Sequence, residues 1–297
     1  VFLLVAPGAL VLGPLAGLLL VARPVSRQGW GVIALALAWC VLWLLQVGDL
    51  VHQTLRAYSV LLVAPWIALV LERPLGRPLL TAALAIGLAV ALTFTWLVTL
   101  GYAWGEVEAS AARSLSTGFL TQARLAEGVG SGLGREVSAR LYEAAGQSRQ
   151  VAALLPAGVI MASLAGLALA WRGHFWLAAE PLGTRPRPFA SFTFSDQAVW
   201  LVVGALAVLL FPGADRFVRL EALAMNVLVV MLSLYALRGA AIFRASTGRP
   251  SAIGVALYSV LAILMFAFVA TGLAILGLAD TWLDFRRRLA APTTGGS

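Results

Sequence analysis

Uncharged apolar runs, separated by short polar breaks, occupy most of the chain. They fall at 1–22, 30–47, 57–71, 79–103, 151–171, 198–211, 222–243 and 252–279. A helix needs about 20 residues to cross ~30 Å of hydrocarbon, so the pattern predicts an all-α, polytopic transmembrane bundle of about eight spans, with an error of one. The third and sixth runs are short. They fit tilted half-spans, helices broken inside the protein, or spans lengthened by flanking polar turns. Pro7 and Pro14 are expected to interrupt the first run, which opens on Val1 and reads as lacking upstream residues.

The one sustained polar stretch is 106–150, with five Arg and five Glu. Its apolar residues keep helical spacing. Val107, Ala111, Leu115, Phe119 and Leu125 form one stripe, and Val137, Leu141, Ala144 and Ala145 a second. Ten charges forbid spanning, so the stretch predicts an amphipathic hairpin on the membrane surface, turning near 128–134. The alternating glycines of that turn superficially suggest a phosphate loop, but no apolar strand precedes them and no Lys follows. The organisation expected is therefore a membrane half at 1–105, the interfacial hairpin at 106–150, a second membrane half at 151–279, and a basic tail at 280–297.

Composition agrees with this class: 61% of residues are hydrophobic, 11% are charged and mean hydropathy is +0.93. All 21 basic residues are Arg, which excludes a Walker lysine and a Schiff-base lysine. Cys40 is the single cysteine, so neither an intrachain disulfide nor a cysteine-built metal site forms. No metal site or cofactor is expected, and no nucleic-acid partner; the bilayer is the partner that composition demands. Charge leaves the orientation open. An outside N-terminus puts Arg23, Arg27, Arg73, Arg77, Arg172, Arg185, Arg187, Arg244 and Arg249 inside, whereas Arg286, Arg287 and Arg288 argue for the opposite sense.

Candidate chemistry is sparse. Asp49, His52 and Arg56 share a helical face and read first as a loop-end salt-bridge cluster, with a proton or ligand site as the alternative. Glu106 and Glu108, two apart, diverge on a helix. Polar groups inside the later spans matter more, because burying them in hydrocarbon demands a partner or a wet cavity. Asn226 and Ser233 lie seven apart on one face. Arg238 lies about six residues from the middle of its span, or ~9 Å. One reading is an interhelical hydrogen bond for Asn226 with Arg238 snorkelling to the interface; the other is an inward pocket anchored by all three. At the chain end, Asp280 and Asp284 are expected to face the same way, with Asp284 pairing to Arg287 or Arg288. With Trp282 and Phe285 in the headgroup belt, the three Arg form either a lipid anchor or, together with Asp280 and Asp284, a docking element for a partner.

The run Gly277-Leu-Ala-Asp280, Trp282 and Asp284-Phe-Arg286-Arg-Arg288 resembles the C-terminal signature of the YybS-like family of bacterial membrane proteins. Gly239 after Tyr235-Ala-Leu-Arg, Asn226, Val199-Trp200 and Leu155-Pro156 are similar to that family's landmarks. Before residue 151 only Pro7, Pro14 and Arg27-Gln-Gly29 are similar. The resemblance implies a distant relation in fold to the substrate-binding subunits of energy-coupling-factor transporters, helical bundles that hold a small ligand and dock on a transmembrane partner working with an ATPase module. It supplies no catalytic residues.

The expectation is therefore a non-enzymatic transporter-subunit-like bundle of the bacterial cytoplasmic membrane, binding a small solute or a membrane partner. The alternative is a structural or assembly subunit of a larger membrane complex.

Overall fold

The computed structural model describes residues 2–24, 26–72, 78–128, 132–211, 218–247 and 264–285, with positions 251, 254 and 260. Among them the helices are α1 (Phe2–Ala22), α2 (Arg27–Leu45), α3 (Leu50–Glu72), α4 (Pro78–Thr99), α5 (Trp104–Gly128) and α6 (Gly132–Gly146). They are followed by α7 (Ser148–Ala153), α8 (Leu155–Leu177), α9 (Val199–Leu210), α10 (Val218–Ser246) and α11 (Phe266–Leu283). Six helices are long and apolar enough to cross a membrane, and two shorter apolar helices, 8–22 within α1 and 196–210 including α9, complete the eight apolar runs. The fold is an all-α polytopic bundle.

Several boundaries differ from those that hydropathy alone predicts. The third run gains a polar turn, Leu50 to Arg56, and becomes a helix of 23 residues. Its polar groups are absorbed locally: Thr54 donates to the Leu50 carbonyl at 2.8 Å and Ser59 to the Leu55 carbonyl at 2.7 Å. The sixth stays short, at 12 residues. The first does not break at its prolines, since α1 is continuous from Phe2 to Ala22. The last continues past 279 to Leu283, so Asp280 belongs to a helix and not to a tail.

The chain divides into two compact units at 186/187, not at the polar middle. The reason is α8, which packs on α1 within the first unit. Gly166 of α8 lies against the Leu10 backbone carbonyl, where a Cβ would sit 2.7 Å from that oxygen. The core of this unit joins Leu10 and Leu18 of α1, Tyr58, Leu62 and Trp66 of α3, Ala85 and Ala89 of α4, and Leu167 and Trp171 of α8. One hydrogen bond crosses it, between the Tyr58 hydroxyl and Ser163 Oγ at 2.8 Å. The α4 helix ends at Thr99 and is closed off by Gly101, whose φ of +81° allows Tyr102 N–H to close back on the Leu97 carbonyl.

The polar stretch folds as the expected hairpin, α5 against α6, followed by the short α7. Val107 and Ala111 of α5 enter a cluster with Val51, Leu55, Leu97 and Ala152, which seats the hairpin on the end of α3. In α6 the buried positions are Gly134 and Ser138, while Leu133, Val137 and Tyr142 stand exposed. Its apolar stripe is divided: Val137 is exposed, while Leu141, Ala144 and Ala145 are half-buried.

In the second unit α10 runs beside both α9 and α11. The α10 and α11 helices are antiparallel and approach backbone to backbone. A Cβ on Gly239 would strike the Leu273 carbonyl, and one on Gly277 the Tyr235 carbonyl. Small residues on both partners are what allow such contact in a membrane, where there is no hydrophobic gain from leaving lipid.

Candidate functional site

The close crossing of α10 and α11 brings a cation and a carboxylate together inside an apolar helix pair. Arg238, 5% exposed, donates from Nε to Asp280 Oδ2 at 3.0 Å, and its Nη2 lies 2.9 Å from the same oxygen. Asp280 is 3% exposed. A second carboxylate comes from the 3₁₀ turn Asp196–Ala198 ahead of α9: Arg238 Nη1 donates to Asp196 Oδ1 at 2.7 Å. The two carboxylates differ in setting, since the Asp280 side chain is 4% exposed and that of Asp196 is 62% exposed.

Aromatic rings close the rest of the site. The Arg238 guanidinium lies 5.6 Å from the Phe194 ring centroid, a cation–π distance. Phe194 meets the buried Tyr235 edge-on at 5.0 Å, and Phe192 and Phe189 continue the row at 6.2 and 6.3 Å. The segment from Phe189 to Ala198 carries only 3₁₀ turns. Irregular backbone beside membrane helices is tolerated where protein or a wet cavity satisfies its polar groups, and Asp196 shows one such group satisfied by Arg238.

This geometry corrects the snorkelling reading of Arg238. Every Cα–Cβ bond in a helix tilts toward its N-terminus, so the side chain of Arg238 is directed back along α10, away from the nearer end at Ser246. It meets Asp280 there. The same contact corrects the paired face expected of Asp280 and Asp284: Asp280 turns inward, and α11 ends one residue before Asp284. Asp284 caps the helix with φ of +47° and is exposed, so the four-residue helical spacing no longer aligns it with Asp280. Trp282 is 66% exposed. Arg286, Arg287 and Arg288 lie outside the described residues.

Asn226 and Ser233 each make a hydrogen bond within α10. Asn226, 8% exposed, donates to the Ala222 carbonyl at 2.8 Å, and Ser233 donates to the Val229 carbonyl at 2.8 Å, each one turn back in α10. Asp196 escaped the sequence reading altogether. A signal existed, in a lone carboxylate three residues before a short apolar helix, but its partner lies 42 residues away.

Residues 2–281 match the family described as Predicted membrane protein (DUF2232). The chain belongs to that family. The matched stretch contains Asp196, Arg238 and Asp280, and the protein is an integral membrane protein whose apolar helices contact lipid. No curated protein matches, and no solved structure does.

The first unit holds a second polar cluster. Asp49 accepts from the His52 backbone N–H at 3.3 Å, its Oδ1 contacts His52 Nδ1, and Ser114 Oγ of α5 donates to its Oδ2 at 2.5 Å. A serine, an aspartate and a histidine therefore meet, but with the carboxylate in the middle. In this order the imidazole does not take the hydroxyl proton, as a nucleophilic triad requires. The cluster joins α3 to α5, helped by Val51 N–H donating to Ser110 Oγ at 3.2 Å. Burial pushes the Asp49 carboxyl up, but the Ser114 and His52 hydrogen bonds outweigh it and hold the group below its ordinary value of 3.8. Arg56 joins neither partner and turns to the Gln46 carbonyl.

Proposed function

We propose that this protein is a non-enzymatic, transporter-subunit-like bundle of the bacterial cytoplasmic membrane. It binds a small solute or a membrane partner through the Asp196–Arg238–Asp280 cluster of its second unit. The observation that supports this reading is the ion triad itself. Ionisable groups among membrane helices are costly and mark functional sites by default, and here two carboxylates face one guanidinium. The buried Arg238–Asp280 pair balances its own charge. Asp196 is the surplus and the more exposed group, so it is the one that a solute or partner would engage or displace. The YybS-like resemblance and its distant relation to energy-coupling-factor substrate-binding subunits point the same way.

Tagged full-length protein, purified from native membranes in mild detergent, tests the reading. Co-purification with an ATPase module that is lost in Asp196→Asn and kept in Arg140→Gln supports it. Arg140 is a suitable control because it pairs with Glu136 on the exposed face of α6. Co-purification with a different complex, unaffected by Asp196→Asn, favours the second reading, a structural or assembly subunit. The exposed indole of Trp282 at the end of α11 is the observation that favours it.

A further inference from the structure

Arg56 is a buried cation of the first unit, and among the described residues no carboxylate pairs with it. It lies in the second turn of α3 and is 8% exposed, so more than nine-tenths of it is covered. Its recorded contacts are neutral. Nη1 donates to the Gln46 carbonyl, and the guanidinium stands 6.0 Å from the buried Trp43 ring. Nε is buried without a hydrogen-bond partner. Among the described residues no carboxylate lies within ion-pair distance of Arg56, and the nearest in sequence, Asp49, is held by His52 and Ser114.

A guanidinium offers five N–H donors in a planar fork and stays charged at any accessible pH. Burying such a charge costs several kcal/mol unless an anion accompanies it. A carbonyl and a ring face meet only part of that demand. The Gln46–Asp49 connection between α2 and α3 covers the guanidinium, and it does so through Gly48, where a Cβ would sit 3.1 Å from Nη2. Beside it Val47 is fully exposed. Trp96 and Trp104, half-buried on the same end of the unit, and the exposed Tyr102 are residue types that settle at headgroup depth.

We propose that Arg56 is a binding site for a phosphate oxyanion, which enters beneath the Gln46–Asp49 connection and accepts from Nε and Nη2. The fork geometry suits two phosphate oxygens. The site lies wholly within the first unit and does not rest on the role given to Arg238. A phospholipid headgroup and free phosphate both supply this chemistry.

The test uses full-length protein stripped of lipid in detergent, with its unfolding temperature followed against inorganic phosphate, phosphatidylglycerol or a phosphate-free galactolipid. The expected result is a rise with phosphatidylglycerol beyond that with the galactolipid, or a saturable rise with phosphate. Phosphatidylglycerol alone identifies a lipid site; phosphate identifies a soluble ligand. The rise should disappear in Arg56→Gln and persist in Arg172→Gln, since Arg172 is an exposed arginine over Trp176. Arg56→Lys keeps the charge but loses the fork, and serves if the Gln variant does not fold. Its apparent affinity should fall roughly tenfold. No rise in wild type with phosphate and none with phosphatidylglycerol beyond that with the galactolipid, or equal rises in wild type and the Arg56 variants, would overturn the proposal.

Discussion

Arg238 and Asp280, 42 residues apart in sequence, meet across the α10–α11 crossing with Nη2 2.9 Å from Oδ2, and both are almost wholly buried. The pair is possible because Gly239 and Gly277 let the two backbones touch. Packing and electrostatics here depend on each other: the glycines set the distance that the ion pair needs.

Removing one partner should therefore cost more than removing both. Arg238→Gln takes this cation from the buried Asp280 carboxylate and should lower stability by about 3–5 kcal/mol; Asp280→Asn should cost less, because Asp196 still pairs with Arg238, and Arg238→Met with Asp280→Leu should lose markedly less than Arg238→Gln. Thermal unfolding of the four proteins in one detergent gives the cycle. Additive losses would show that the pair is not coupled.

The glycines can be tested apart from the charges. Gly277→Ala should separate the helices and cost about 1–3 kcal/mol, the usual range for overpacking. Gly118→Ala in α5, where a new Cβ meets nothing within 4 Å, should be neutral or stabilise by up to about 1 kcal/mol. Equal effects of the two substitutions would refute the crossing.

Acid should loosen the seating of α5 on α3. Asp49 has a lowered pKa in the fold, so its contribution is fully present above its unfolded value near 3.8 and is lost as pH falls through the lower folded value. Hydrogen exchange at Ser110–Ser114 should accelerate below about pH 4, and Asp49→Asn should show faster exchange at neutral pH with a weaker acid response. An unchanged acid response in that variant would assign the effect to another group.

Asn226 offers a smaller test. Its amide is buried and donates to Ala222, so Asn226→Leu should cost on the order of 0.6 kcal/mol, the average for polar contacts in membrane helices. A loss several times larger would mean that the side chain serves more than α10.

Single cysteines along 106–150 should report three environments. Val107 and Ala111 should be shielded by protein, Leu133 and Val137 by lipid, and Glu127 and Arg140 should label freely with an aqueous thiol reagent. The lipid-shielded pair should become reactive in a detergent-free, lipid-depleted preparation before the protein-shielded pair does. Uniform protection would identify a span instead.

Much of this protein was legible from one dimension, because the bilayer makes a severe demand on composition. A stretch of about 20 uncharged residues has few alternatives to a helix once backbone groups must be satisfied internally. The class, the eight apolar runs and the amphipathic stretch at 106–150 follow from that demand. The local pair Asp49–His52 was legible for a similar reason, being three residues apart on one turn. The tertiary structure decided what hydropathy does not encode: that α8 packs with α1, that Arg238 turns inward, and that Asp280 and not Asp284 is its partner. Asp196 and Ser114 become visible only there. A periodic pattern records which face of a helix is apolar but not which helix lies against it, and the contact of Arg238 with Asp280 over 42 residues is set by where Gly239 and Gly277 allow the backbones to approach.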